Sequence, residues 1–163
     1  MENKEQEIIN EPNMSKAQGK IQSLAKLGKG QIPIIVMGQD DDYNRKILEN
    51  RKVNVLMLNE NITRKDFMKQ RNSGLNEVLC KIAAQNDIKI AVDIRKIIGK
   101  ENDIEKARSL ARLAQNIMLC KRIRCQLITY GTHGNADKRN IQSLFLTLGA
   151  STSQAKEASE KGF

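Results

Sequence analysis

The only histidine of the chain, His133, is the first residue that the sequence offers for catalysis. It stands in the glycine-rich segment GTHGNADKRN, residues 131–140. Zinc and binuclear phosphoesterase sites need several imidazole or thiolate ligands, so one histidine cannot build them. A serine triad would also need a Gly-x-Ser-x-Gly elbow, and the sequence has none. We therefore expect no catalytic and no metal-binding residue in this chain.

Two further motifs could in principle bind a cation or a nucleotide. Asp40, Asp41 and Asp42 are consecutive, but acids at a predicted helix start point in different directions and favour the helix dipole instead. The GTHG stretch has neither the Gly-x-Gly-x-x-Gly spacing nor the phosphate-loop lysine. Neither motif predicts a site.

Basic residues give a stronger signal than any catalytic motif. Lys and Arg number 28 against 19 Asp and Glu, a net charge of +9 that favours phosphate-bearing partners. With two Tyr, three Phe and no Trp, base stacking is not expected as the main mode of recognition. The predicted RNA-binding cations stand at the ends of elements near loops: Arg71, Arg95, Lys96, Lys138 and Arg139.

Three cysteines, Cys80, Cys120 and Cys125, show no Cys-x-x-Cys spacing and lie in apolar patterns. Reduced thiols in the core of a cytoplasmic protein are the expected state. No apolar run approaches the roughly 20 residues that span a bilayer, and MENKEQEIIN is too charged for a signal peptide. We expect no contact with a membrane.

The elements that must position these residues alternate between helices and strands. Buried strands are predicted over 31–37, 53–59, 88–93 and 125–130, with helices between them, including one that Ser73 caps and a long one over about 102–122. Helices over 141–149 and 152–160 follow, the last one capped by Thr152 or Ser151. Residues 1–13 are predicted as a disordered arm and residues 14–163 as a single domain.

Four strands joined by helical crossovers require parallel pairing, so the fold class is α/β. A doubly wound sheet and part of a barrel of βα units both fit this pattern, and periodicity does not separate them.

Four runs of sequence resemble ribonuclease P protein component 3, the TIM-barrel subunit shared by archaea and eukaryotes. They are NRKILENRKVNVL, NSGLNEVLCKIAAQNDIKIAVDIRKII, EKARSLARLAQNIMLCKRIRCQLITYG and DKRNIQSLFLTLGASTSQAKEA. The resemblance covers about residues 32–160, and its most specific part is the SGLN motif, Ser73, Gly74, Leu75 and Asn76. Arg95 matches the family's basic residue after the strand, and Gly131 matches the glycine that ends the last strand.

The resemblance implies a barrel related to the PHP phosphoesterases but without their metal ligands. It implies a non-catalytic protein cofactor of a catalytic RNA that removes 5′ leaders from precursor tRNA. The chain itself would bind no cofactor, while Mg²⁺ would belong to the RNA component. The implied partners are ribonuclease P RNA and an RRM-like protein subunit, often in a dimer of heterodimers.

The predicted strands are too few for a closed barrel. Four are found where a (β/α)₈ barrel needs eight, so we expect TIM-barrel-like (β/α) units in an incomplete or shortened barrel. Its open edges and one open sheet face would be covered by a partner subunit, a second copy or RNA. Two alternatives stay open: a small α/β enzyme acting on a phosphorylated metabolite held by residues 131–140, and a barrel kept only as a protein scaffold.

Overall fold

A computed structural model describes residues 8–28, 32–62, 65–131 and 135–162 of the chain. Within these ranges one or two helices follow each strand, so strands are separated by helices as the sequence predicts. The strands are β1 Ile8–Ile9, β2 Ile35–Met37, β3 Val55–Met57, β4 Lys89–Asp93 and β5 Leu127–Tyr130. The helices are α1 Met14–Gly28, α2 Asp41–Leu48, α3 Glu77–Gln85, α4 Ile94–Ile98, α5 Asp103–Ile123, α6 Asn135–Thr147 and α7 Thr152–Glu160.

The five strands form one parallel sheet in the order β1-β2-β3-β4-β5. Each strand therefore pairs with the strand before it in sequence, as in a barrel of βα units. In a doubly wound sheet the strand order reverses, so that a later strand is added on the other side of the first one. The predicted α/β class with parallel strands is confirmed. The strand order also decides between the two architectures that the sequence leaves open, in favour of the TIM-barrel-like one.

Apolar side chains of the sheet divide between its two faces. On the face that the helices cover, one cluster joins strand residues such as Val36, Leu56 and Ile90 to residues of all seven helices. Fully burying an Ile or Leu side chain contributes about 1.5–3 kcal/mol, so this helix-covered face supplies most of the stabilisation. The helices thus form a layer on one face of the sheet.

The other face of the sheet carries a second cluster made of strand residues only. Its buried members, which are at most 7% exposed, are Ile35, Met37, Val55, Met57, Ala91 and Ile128. An incomplete barrel is expected to leave one sheet face open, to be covered by a partner subunit, a second copy or RNA. These six side chains are already buried in the chain by itself, so for this part of the face that expectation is wrong.

Residues 8–13 correct the predicted disordered arm and the predicted domain boundary at residue 14. Ile8 and Ile9 pair with Ile35 and Val36 of β2, and Ile9 is buried in the core. The Tyr43 hydroxyl donates a hydrogen bond of 2.7 Å to the carbonyl of Glu11. The sheet therefore has one strand more than predicted, and the first seven residues lie outside the described part of the chain.

Several predicted helix bounds also change. Asn76, not Ser73, caps α3, since its Oδ1 accepts the Leu79 N–H at 3.0 Å. Helix α6 begins at Asn135, six residues before the predicted start, so part of the segment predicted as a loop is helical. Ser151 caps α7, which confirms one of the two predicted caps.

Candidate functional site

The carboxyl ends of the parallel strands and the amino ends of the following helices share one edge of the sheet, where folds of this type place their working residues. Arg71 lies in the loop between β3 and α3, Arg95 and Lys96 open α4 directly after β4, and Lys138 and Arg139 lie in the first turns of α6 after β5. All five side chains are exposed. The topology therefore brings the five predicted cations to this carboxyl edge.

Arg95 and Gly131 connect the ends of β4 and β5. Gly131 is buried and has a φ of +79°, and a Cβ built on it would lie only 2.5 Å from Arg95 Cζ. The guanidinium of Arg95 therefore lies directly over the Gly131 backbone. Glycine is required here on two grounds, because L side chains rarely adopt this φ and because the arginine occupies the space of a side chain.

Asp93 holds the start of α4, where Arg95 and Lys96 stand. It is 6% exposed, and its Oδ1 accepts hydrogen bonds from the backbone N–H of Arg95 at 3.1 Å and of Lys96 at 3.3 Å. A carboxylate at this position satisfies two backbone donors that have no partner inside the helix. The last residue of β4 thus fixes the backbone from which both cations project.

The loop over residues 65–73 is fastened to the middle of α5. Asp66 Oδ1 accepts from Arg112 Nη2 at 3.0 Å and Nε at 3.2 Å, and from the backbone N–H of Asn72 at 2.9 Å. Gln115 bonds both backbone groups of Arg71, at 3.0 Å to its N–H and 2.9 Å to its carbonyl. Arg71 Nη1 lies 3.4 Å from Asp66 Oδ2 and its side chain is 47% exposed.

The ionisation of Asp66 follows from these contacts. Desolvation opposes the charged form, but the hydrogen bonds from the Asn72 backbone and the Arg112 side chain outweigh it and lower the pKa of Asp66. The loop is therefore held by an ionised carboxylate between two arginines.

The first half of the SGLN motif turns the chain towards α3. Ser73 is 8% exposed, and its hydroxyl donates to Asn116 Oδ1 on α5 at 2.6 Å. Gly74 has a φ of +76°, a left-handed conformation that favours glycine. These two residues give the chain its direction at the start of α3.

The second half of the motif enters the helix itself. Leu75 is 2% exposed in the core, and Asn76 caps α3 while its Nδ2 donates to Asp41 Oδ2 at 3.1 Å. Each motif residue thus has a structural role that joins α2, α3 and α5.

Asn44 is a residue of this edge that the sequence analysis does not identify. It is fully buried on α2; its Oδ1 accepts the Gln39 N–H at 2.8 Å and its Nδ2 donates to the Gly74 carbonyl at 3.1 Å. A Cβ at Gly38 would lie 2.9 Å from Asn44 Oδ1. The only sequence signal is a polar residue on the apolar face of a helix, next to Tyr43 and one turn before Ile47 and Leu48.

The three cysteines are free and buried, in agreement with the prediction of core thiols, but they also contact one another. Cys80 lies on α3, and Cys120 and Cys125 lie on and just after α5. Hydrogen bonds from the Cys120 and Cys125 thiols lower the pKa of Cys80, and the bonds to Cys125 and Cys80 raise that of Cys120. Spacing in the sequence gives no sign of this cluster, because 40 residues separate Cys80 from Cys120.

Neither a metal site nor a membrane span is found in the part of the chain that the structure describes. There, no group of three or more His, Cys, Asp or Glu side chains is arranged to hold a metal ion. None of the described helices is long and apolar enough to cross a membrane. His133, on which the alternative of a small metabolite enzyme depends, lies outside the described residues.

Comparisons with known proteins agree with the resemblance seen in the sequence. No family model matches the chain. The chain is 34% identical over 118 residues to ribonuclease P protein component 3 of Methanosarcina barkeri, and 28% identical over 110 residues to that of Methanococcus vannielii. These matches cover 72% and 67% of this chain but 44% of each relative, so the chain spans less than half the length of the curated relatives it matches.

A solved structure shows the same fold. One chain of the cryo-EM structure of archaeal ribonuclease P with mature tRNA superposes with a TM-score of 0.70 at 18% identity. The match covers 94% of this chain and 63% of that chain. The predicted resemblance to ribonuclease P protein component 3 and the predicted TIM-barrel-like fold are both confirmed.

Proposed function

We propose that this chain is a non-catalytic protein subunit of ribonuclease P that assists the RNA-based removal of 5′ leaders from precursor tRNA. The observation that carries the proposal is the sequence match to curated relatives named ribonuclease P protein component 3. The shared fold with a chain of archaeal ribonuclease P supports it. In this proposal the catalytic groups and the Mg²⁺ belong to the RNA component.

The carboxyl edge is the proposed RNA-binding surface. Its cations Arg71, Arg95, Lys96, Lys138 and Arg139 are exposed, and a side chain that neutralises a phosphate releases counterions from the RNA. The net charge of +9 supports an anionic partner. Because Arg95 lies over Gly131 and its backbone is held by Asp93, this arginine is already oriented before RNA binds.

The proposal includes two finer points about assembly and location. A second protein subunit with an RRM-like fold is the proposed direct partner, and pairing of two such complexes gives a dimer of heterodimers. The proposed location is the cytoplasm. The outer strands β1 and β5 each pair with one neighbour in the described sheet, so their free edges are the proposed positions for contacts with a subunit or with RNA.

Neutralisation of the carboxyl edge tests the proposal. The triple variant R95Q/K138Q/R139Q is compared with R51Q/K52Q/R124Q, which removes three exposed cations from loops at the opposite end of the sheet. Binding to fluorescein-labelled ribonuclease P RNA of Methanosarcina barkeri is titrated between about 50 and 200 mM salt. The slope of log K against log salt falls by roughly 0.7–0.9 for each phosphate that is no longer neutralised, so we expect a decrease of about 2–3 for the carboxyl-edge variant.

The control variant should keep most of the salt dependence of the parent chain. Equal losses in the two variants would mean that charge alone, without a defined surface, binds RNA. An unchanged affinity of the carboxyl-edge variant would favour the protein-scaffold alternative. Cleavage of a precursor tRNA leader by the purified chain without RNA would contradict the non-catalytic role.

A further inference from the structure

Two adjacent apolar side chains project from the 65–73 loop. Phe67 is 62% exposed and Met68 is fully exposed. Single exposed apolar residues are common on protein surfaces and need no explanation. An adjacent aromatic and thioether pair at a loop tip is less ordinary, and Phe67 is the only aromatic among the exposed large apolar residues of the described chain.

The loop that presents this pair is anchored by hydrogen bonds across its turn and on both sides of it. The Phe67 N–H donates to the Gln70 carbonyl at 2.9 Å and closes the turn. On both sides of the turn, Asp66 and Arg71 are fastened to α5 through Arg112 and Gln115. Little backbone entropy would therefore be lost when the tip binds, and the contacts that hold the loop leave both side chains exposed to solvent.

Charges around the tip favour one class of partner. Lys65, Lys69 and Arg71 are exposed, and the only acid between them, Asp66, is paired with Arg112 and Arg71. An aromatic ring with cations on both sides is the arrangement with which proteins bind unpaired nucleotides, the ring stacking on a base and the cations contacting phosphates. Protein interfaces are enriched in aromatic residues, Met and Arg but depleted in Lys, so the two lysines are the feature of this tip that favours RNA over a protein partner.

We propose that Phe67 stacks on an unpaired nucleobase of a structured RNA, with Met68 beside the same base and Lys65 and Lys69 on the flanking phosphates. The inference rests on the proposed function and deepens it. The carboxyl-edge cations would contact RNA phosphates whether or not the bases are paired, whereas the loop tip would select a bulged or looped-out nucleotide.

The full chain contains no Trp, so F67W introduces a single fluorescent reporter at the proposed contact. The probes are two RNA hairpins that differ only in one added adenosine, which stands unpaired in the stem of the second hairpin. We expect the emission of F67W to be quenched by the bulged hairpin and to change little with the paired one. Stacking on a base is worth about 1–3 kcal/mol, so F67A should weaken binding of the bulged hairpin roughly 5- to 150-fold.

Matched controls distinguish the loss of stacking from the loss of any exposed apolar side chain and from a loss of stability. Ile104→Ala removes another apolar side chain, 64% exposed, and should leave the affinity for both hairpins unchanged. F67L keeps an apolar side chain without a ring and should bind the bulged hairpin nearly as weakly as F67A. Surface substitutions of this kind change stability by less than about 0.5 kcal/mol, which a thermal melt of each variant checks.

The outcomes distinguish this inference from the proposed function. If the parent chain binds RNA but F67A weakens both hairpins equally or neither, the stacking inference is overturned and the proposed function stands. If the parent chain binds no RNA at about 50 mM salt, both are overturned. If F67A leaves RNA binding unchanged and instead weakens binding to a purified ribonuclease P protein subunit, the tip is a protein contact and the inference is wrong.

Discussion

Replacement of Asn44 measures how far the carboxyl edge depends on one buried amide. In Asn44→Ala, the Gln39 N–H loses an acceptor at 2.8 Å and the Gly74 carbonyl loses a donor at 3.1 Å. A lost partner costs about 1–3 kcal/mol at a buried group such as the Gly74 carbonyl, and less at the partly buried Gln39 N–H. We therefore expect the free energy of unfolding to fall by about 2–5 kcal/mol, a large part of the roughly 5–15 kcal/mol typical of a folded domain.

The nearly isosteric substitution Asn44→Asp adds a dependence on pH. It places an oxygen where the amide donates to Gly74, in a fully buried position, so the folded-state pKa of the new carboxyl should lie above the unfolded value of about 3.9. Such a group contributes its full stability below the unfolded pKa and loses it as the pH rises through the folded pKa. Asn44→Asp should thus be closest to the parent below about pH 4 and lose about 1.4 kcal/mol per pH unit between the two pKa values.

Urea unfolding followed by far-UV circular dichroism at about pH 4 and pH 7 measures both effects. Asn61→Ala, at an exposed asparagine, is the matched control and should change the free energy of unfolding by less than about 0.5 kcal/mol. The reasoning is refuted if Asn44→Ala behaves like this control. It is also refuted if Asn44→Asp is closer to the parent at the higher pH than at the lower one.

Three further predictions concern the arginine, the anchored loop and the thiols. Gly131→Ala should displace the Arg95 guanidinium and weaken RNA binding as Arg95→Ala does, while the double variant binds no more weakly than Arg95→Ala alone in the same titration. Because the folded pKa of Asp66 is lowered, the stability of the loop anchor is present above its unfolded pKa and is lost as the pH falls through the folded value. The amide proton shift of Asn72 should follow that acid titration and should not do so in D66N. Cys80, Cys120 and Cys125 should resist a soluble disulfide reagent in the native protein and all react in denaturant, since each is at most 6% exposed; rapid native reaction of any one would contradict the structure.

The alternation of helices and strands could be predicted from the sequence because it depends on local apolar periodicity. The long helix α5 is predicted over about 102–122 and spans Asp103–Ile123. Strand β1 could not be predicted in this way, since two isoleucines in a polar segment show no period. Its strand conformation depends on pairing with β2, which lies 27 residues further along the chain.

In the candidate site, too, local features could be predicted from the sequence and contacts between distant segments could not. The cations at the ends of elements could be named from the sequence, because a βα pattern fixes which loops share an edge. The contact of Arg95 with Gly131 and the bond of Asn44 to Gly74 could not be named, because they join segments 30 or more residues apart. The SGLN motif is identified by resemblance, and its structural roles become visible only when Asn116 and Asp41 are seen beside it.

Strand order also determines how the sheet can form while the chain is being synthesised. Each strand from β2 onwards finds its first pairing partner in the segment made immediately before it, so the sheet can extend one βα unit at a time as the polypeptide leaves the ribosome. No strand of the described sheet has to be inserted later between two that have already paired. A doubly wound sheet cannot grow from one edge in this way. The second neighbour of its first strand is made only after the strands on the other side have been completed.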